Sequence, residues 1–224
     1  MTATRERAIN LRDWEVRANQ AGRLKLLVRP VKPQPYRDNE MRHTMFVGGT
    51  VWVRNGKLNA DWAHVVKNPE SMIHFCPYGK PGDRLRGREA YGYAWMNEQE
   101  VKESIELGEG PSLFYRADWP DSNVQPSITD RWLPSSHMPR WAVRNWLEIT
   151  EVRCGRVREM SEEEAIAGGV APSHPSIDKV SRELGYPDFS RSMRAQIYEM
   201  DHGEGAWERD WVWMIGIKRI EVAS

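Results

Sequence analysis

The chain has 224 residues, with 32 Lys+Arg against 32 Asp+Glu, and its 40% hydrophobic and 29% charged content is that of an ordinary soluble globular domain. No segment holds the run of about 20 apolar residues that crosses a bilayer, and the N-terminal "MTATRERAINLRDWEVRANQ" has no apolar core of the kind a secretory signal needs. Two cysteines, Cys76 and Cys154, are too few for a disulfide framework and point to a reducing cytoplasm.

Residues 5–22 read as a short helix or an irregular lead-in. "RLKLLVRPV", residues 23–31, alternates as a strand, and "KPQP" closes it because proline donates no ladder hydrogen bond. Residues 44–58 carry two turn signals, Gly48-Gly49 and Asn55-Gly56, and predict a β-hairpin. "CPYGKPGDRLRGREA", residues 76–90, runs from consecutive turn residues into a strand in which Arg84, Arg86 and Arg88 share one face. "EAYGYAW" continues it, with Tyr91, Tyr93 and Trp95 on one face. "NEQEVKESIELGEG" is a short helix, followed by a long loop through residue 136. Residues 140–160 form one long strand or a bent pair, with Val143, Leu147 and Ile149 in phase.

"SEEEAIAGG" is a helix with Ser161 as N-cap, Glu164 completing a capping box, and Gly168-Gly169 as its stop. Residues 172–209 read as an insertion, helical around "SRSMRAQIYEM". The terminal "WVWMIGIKRI" is a buried strand, with Trp211, Trp213, Ile215 and Ile217 toward the core. The predicted fold class is α+β, one domain over 1–224 built on a small β-barrel with inserted helices and loops.

The zero net charge hides an asymmetry. Residues 1–88 hold 17 Lys+Arg against 8 Asp+Glu, and residues 89–224 hold 15 against 24. Either the basic half presents an anion-facing surface, or the halves interleave and neutralise each other. Eleven tryptophans serve a core or, at selected positions, as platforms for stacked bases.

"VRANQAGRLKLLVRPVKPQP", "CPYGKPGDRLRGRE", "SSHMPRWAVRNWLEITEVR", "SEEEAIAGG" and "WVWMIGIKRI" occur in the order found in phage and prophage proteins with an ASCH domain, which the chain resembles. The resemblance spans the barrel elements and leaves 37–70, 97–130 and 172–206 as insertions. It implies a PUA-like β-barrel whose cleft binds RNA or a nucleoside; some relatives hydrolyse acylated cytidine or are nucleases. In that family the first strand opens with Gly-Arg-Lys-Thr and then arginine, and a carboxylate from the helix after the long strand assists. Here Gly22-Arg23 is followed by Leu24 and Lys25, with Arg29 kept from the basic end. The helix ends Ala167-Gly168-Gly169 instead of Ala-Glu-Gly, and Arg86 replaces the usual Trp. The departures fall on the positions of the chemistry, while "HMPRWA" is intact.

Two readings of the arginine row follow: forked donors for phosphates, or a strand edge kept soluble by charge. The candidate nucleic-acid-binding set is Arg23, Lys25, Arg29, Lys32, Lys80, Arg84, Arg86 and Arg88. Lys25 and Glu164 are the candidate catalytic pair of a hydrolase. His64, His74 and Cys76 lack the spacing of a zinc site, and Ser135, Ser136 and His137 lie too close in sequence for a triad. Because "HMPRWA" is a hallmark of the resembled family, the resemblance implies that His137 and Arg140 tie the loop to the following strand. No glycine-rich phosphate loop or dinucleotide fingerprint calls for a cofactor.

The leading expectation is a phage- or prophage-encoded domain in the host cytoplasm, binding RNA or a modified nucleotide in a basic cleft, with no membrane partner. The alternatives are a hydrolase of a modified base, or a module that contacts a phage or host protein through its insertions. A basic cleft favours the first, a small pocket joining Lys25 to a carboxylate the second, and an apolar patch on the insertions the third. Oligomeric state is not specified by the sequence.

Overall fold

In a computed structural model the described residues are 4–32, 34, 76–93, 96–119, 132–170, 179, 183, 184 and 189–221. The hairpin expected at 44–58, and Trp95, lie outside them. Five strands make one mixed sheet: β1 (Glu6–Asn10), β2 (Leu26–Pro30), β3 (Arg84–Arg88), β6 (Asn145–Arg156) and β7 (Trp211–Arg219), in the order β1-β3-β6-β7-β2. β1 runs parallel to β3, and the other neighbours are antiparallel. β4 (Tyr91–Tyr93) and β5 (Leu113–Tyr115) form a separate two-stranded ribbon.

β7 shows why its sequence is apolar on both phases. Trp213, Ile215 and Ile217 enter the main core with Leu27, Leu85, Leu147 and Ile149, and Trp211 packs against it. On the other side Val212 and Met214 join a second cluster with Val28, Tyr198 and Trp207. A strand covered on both faces has no solvent phase to mark with polar residues. The predicted inward set is the observed one.

Of the two forms expected for this segment, β6 is the single long strand, and its register with β7 shifts between Ile149 and Glu151. Gly216 stands opposite this bulge, where a Cβ would come within 2.8 Å of Thr150 Oγ1. Gly87 in β3 is held to glycine in the same way: a Cβ there would meet Leu11 Cδ1 at 2.6 Å and the Asn145 carbonyl oxygen at 2.9 Å.

Residues 5–22 are more regular than their polar sequence suggested, giving β1 and then helix α1 (Asp13–Gln20). Helix α2 (Glu98–Glu106) starts at a capping box of Asn97 and Glu100. Helix α3 (Glu162–Ala167) has the predicted cap: Glu164 N–H donates to Ser161 Oγ at 3.2 Å, and Ser161 N–H donates to Glu164 Oε2 at 2.9 Å. Helices α4 (Phe189–His202) and α5 (Ala206–Arg209) cover the outer side of β2 and β7 through Tyr198, Ala206 and Trp207.

The expected barrel is corrected to an open sheet among the described residues. Its two edge strands, β1 and β2, are not hydrogen-bonded to each other; the Arg29 guanidinium reaches from β2 to donate to the Asn10 carbonyl at 2.9 Å. A side chain, rather than a backbone ladder, spans the seam. The arginine row is corrected too. Arg84, Arg86 and Arg88 do share a face, but β3 lies between β1 and β6 and is no edge.

Candidate anion-binding cleft

The seam between the edge strands opens into a cavity of about 720 Å³. Its walls come from the end of β1 into Arg12, the end of β2 with Arg29 and Lys32, Tyr78 from the turn before β3, Arg88 at the end of β3, and Trp132 to Ser135. Arg116 and His202 complete it. Among the described residues, five Lys or Arg side chains line this cavity and no carboxylate does.

The carboxylates stand behind the wall. Glu15, 1% exposed, takes Arg29 in a two-pronged ion pair at 2.6 and 2.8 Å and also accepts the Arg12 backbone N–H at 2.9 Å. Burial alone would push the Glu15 carboxyl up, but Arg29 and Arg12 hold it below the ordinary carboxylate range. Asp201 pairs with Arg12 at 3.0 Å, and Asp13 pairs with Arg116 at 2.6 Å. Each of these guanidinium groups is thus fixed by a carboxylate, and both terminal nitrogens of Arg29 are fully used, by Glu15 and by the Val28 and Asn10 carbonyls.

Arg88 and Lys32 have no carboxylate partner among the described residues. Arg88 donates from Nε to Asn10 Oδ1 at 3.1 Å and from Nη1 to the Ser136 carbonyl at 3.0 Å, both neutral acceptors. Lys32 is exposed. His202 lies against Tyr198 with ring centres 4.4 Å apart and ring planes tilted by 50°, and its Nε2 lies 3.4 Å from Arg12 Nη2. Burial and then Arg12 push its pKa below the ordinary histidine value, which favours a neutral ring. Tyr78 and Trp132 are half-buried, so each offers part of a ring to a ligand.

Of the predicted basic set, Arg29, Lys32 and Arg88 converge here. Arg29 is 8% exposed and largely consumed by Glu15, so it serves as seam and wall more than as a free phosphate donor. The others lie elsewhere. Arg23 donates to the Gly169 carbonyl at 3.1 Å. Arg86 pairs with Glu6 at 2.9 Å on the outer face of the sheet, where Arg84 is exposed. Lys80 is exposed in the turn and outside the cavity wall. Arg140, expected to tie the loop to the following strand, holds Glu6 of β1 with two hydrogen bonds and lies 5.4 Å over the Trp146 ring of β6.

Lys25 and Glu164 do meet, in a smaller hollow of about 300 Å³ shared with Glu151 and Arg153. Glu164 is already committed there, accepting the Ser161 N–H and pairing with Arg153, while Lys25 stays exposed. Both thiols are buried, and burial pushes Cys154 up to about 12 and Cys76 above its ordinary value, so neither is a ready nucleophile. Among the described residues no group of three or more His, Cys, Asp or Glu could hold a metal ion; His64 and His74 lie outside them.

No family model, curated protein or solved structure matches the chain. The cleft therefore rests on its own geometry. Sequence reasoning missed Arg12, Arg116, His202, Tyr78 and Trp132 as wall residues. Tyr78 alone carried a local signal, being the aromatic in the turn that precedes the arginine strand.

Proposed function

We propose that the seam cleft binds a nucleotide unit, free or at a single-stranded position of RNA, through its phosphate, in a domain of the PUA-like ASCH type. The observation that carries this reading is a wall whose described residues include five cationic side chains and no carboxylate. An anion entering it meets oriented N–H donors and displaces no acidic competitor. The volume falls within the about 300–1,000 Å³ usual for small-ligand sites, and Tyr78 and Trp132 supply rings against which a base can lie. The family part of the proposal rests on the sequence strings and their order.

The hydrolase reading is less favoured, because the carboxylate beside Lys25 is engaged by its helix cap and Arg153. The test is a titration with uridine 5′-monophosphate, uridine and a short oligouridylate at two salt concentrations. The phosphate-bearing ligands bind, more weakly at high salt, and Lys32→Ala reduces their affinity. Equal binding of uridine and its monophosphate, or no binding of any of the three, contradicts the proposal.

A further inference from the structure

Helix α4 carries a buried charge that the wall residues leave unexplained. Arg194 is 1% exposed, yet its Nε and Nη1 have no hydrogen-bond partner, and no ion pair to it exists among the described residues. Its guanidinium lies 5.1 Å over the Trp14 ring. A Cβ built on Gly168 at the end of α3 would stand 3.5 Å from its Nε. The Trp14 indole N–H is likewise buried without an acceptor. A fixed positive charge in a low-dielectric interior without a carboxylate or carbonyl is costly, so something other than stability accounts for it.

The charges around it are those of the cleft. Trp14, beneath its guanidinium, immediately precedes Glu15, which pairs with Arg29, and Asp201 on the same helix α4 pairs with Arg12. Glu15 and Asp201 supply two negative charges to Arg12, Arg29 and Arg194, which supply three positive ones. Without Arg194 this group is neutral, and Glu15 fully offsets Arg29 as seen from the cavity. With Arg194 the group keeps one net positive charge. On α4, Arg194, Tyr198 and His202 follow at four-residue spacing, so one face of the helix runs from the buried guanidinium to the cavity wall.

We infer that Arg194 is a positioning residue of the anion cleft, an uncompensated interior charge that draws on the Glu15 carboxylate and so leaves Arg29 and Arg12 positive toward a bound phosphate. This inference rests on the cleft being an anion site. Burial depresses the Arg194 pKa to about 10, which leaves it charged at neutral pH. The residue is maintained at the expense of the ligand-free fold, and the bound anion supplies the missing negative charge.

The test compares wild type with Arg194→Met, Arg194→Lys and Lys32→Ala, using uridine 5′-monophosphate as probe and thermal unfolding of the ligand-free proteins. Arg194→Met is expected to bind about tenfold more weakly, the effect of one charge acting through an effective dielectric of about 20. Its ligand-free melting temperature is expected to equal or exceed that of wild type. Arg194→Lys is expected to bind like wild type at pH 6 and to lose affinity as pH rises, because an ammonium buried there gives up its proton well below its ordinary value. Wild type does not weaken over the same range, because the phosphate monoester gains its second negative charge at about pH 6, and the ratio of variant to wild-type affinity is the readout.

Unchanged binding by a folded Arg194→Met overturns the inference. If that variant does not fold, the lysine variant decides, and a pH profile identical to wild type overturns it. Lys32→Ala separates the two levels of argument. A loss there with none in Arg194→Met leaves the anion site standing without its rear charge, whereas no loss in either removes the site itself.

Discussion

Replacing Glu15 by Gln removes the counter-charge of Arg29 while keeping its shape. Glu15 Oε1 and Oε2 accept Arg29 Nη1 and Nη2 at 2.6 and 2.8 Å, and both residues are buried. The amide NH₂ of Gln would face one of those donors, leaving a buried guanidinium half-satisfied across the seam between β1 and β2. Breaking a buried ion pair from one side costs about 3–5 kcal/mol, and at about 2–4 °C per kcal/mol for a chain of this size the melting temperature falls by about 6–20 °C. Replacing both partners by Met costs much less than the two single losses together, because no lone charge remains.

The pH dependence has a definite sign. Glu15 is held below its ordinary value of 4.5, so its stabilisation is complete above that value and is lost as pH falls through the lower folded value. The gap between wild type and Glu15→Gln therefore narrows below about pH 4.5. Circular-dichroism melts from pH 7 to pH 3 measure it. A variant within 1 kcal/mol of wild type at pH 7, or a gap that stays constant down to pH 3, refutes the reasoning.

Trp213→Ala, at a site 2% exposed between β2 and β6, is expected to cost about 3–5 kcal/mol in urea unfolding; an unchanged midpoint would remove β7 from the core. The arginine row divides by position: Arg88→Gln should weaken single-stranded RNA binding and lower its salt slope by about 0.7. The Arg84→Gln/Arg86→Gln pair on the outer face should change neither, and titrations at two salt concentrations separate the cases. With Glu164 engaged by Ser161 and Arg153, no efficient deacylation of acylated cytidine is expected. Turnover at an ordinary enzymatic rate that collapses in Lys25→Ala would reverse this.

What was legible in the sequence was local. The cap at Ser161 and Glu164 depends on residues three apart, and the buried strand β7 on nine consecutive residues, so both could be read directly. The common face of Arg84, Arg86 and Arg88 follows from the two-residue repeat of any strand. Their surroundings do not, because only pairing with β1 and β6 decides that β3 is interior. "ERAIN" was missed as a strand because one apolar residue, Ile9, is its main anchor in the core. The cleft was the least legible part. Arg12, Arg116 and His202 come from three distant places, and Arg29 could not be seen as neutralised without knowing that Glu15 reaches it from α1. A basic residue in a sequence is a charge; only the fold says whether its counter-ion is already present.

The central claim concerns where an anion binds, and the tryptophan indole N–H signals in a ¹⁵N-correlated NMR spectrum report it directly. Trp132 lies in the cleft wall, whereas Trp141 and Trp146 lie away from it, Trp146 beneath Arg140. Adding uridine 5′-monophosphate is predicted to shift the Trp132 signal in a saturable manner and leave those of Trp141 and Trp146 in place. Saturable shifts confined to Trp141 and Trp146, or no shift at any indole, would contradict the account.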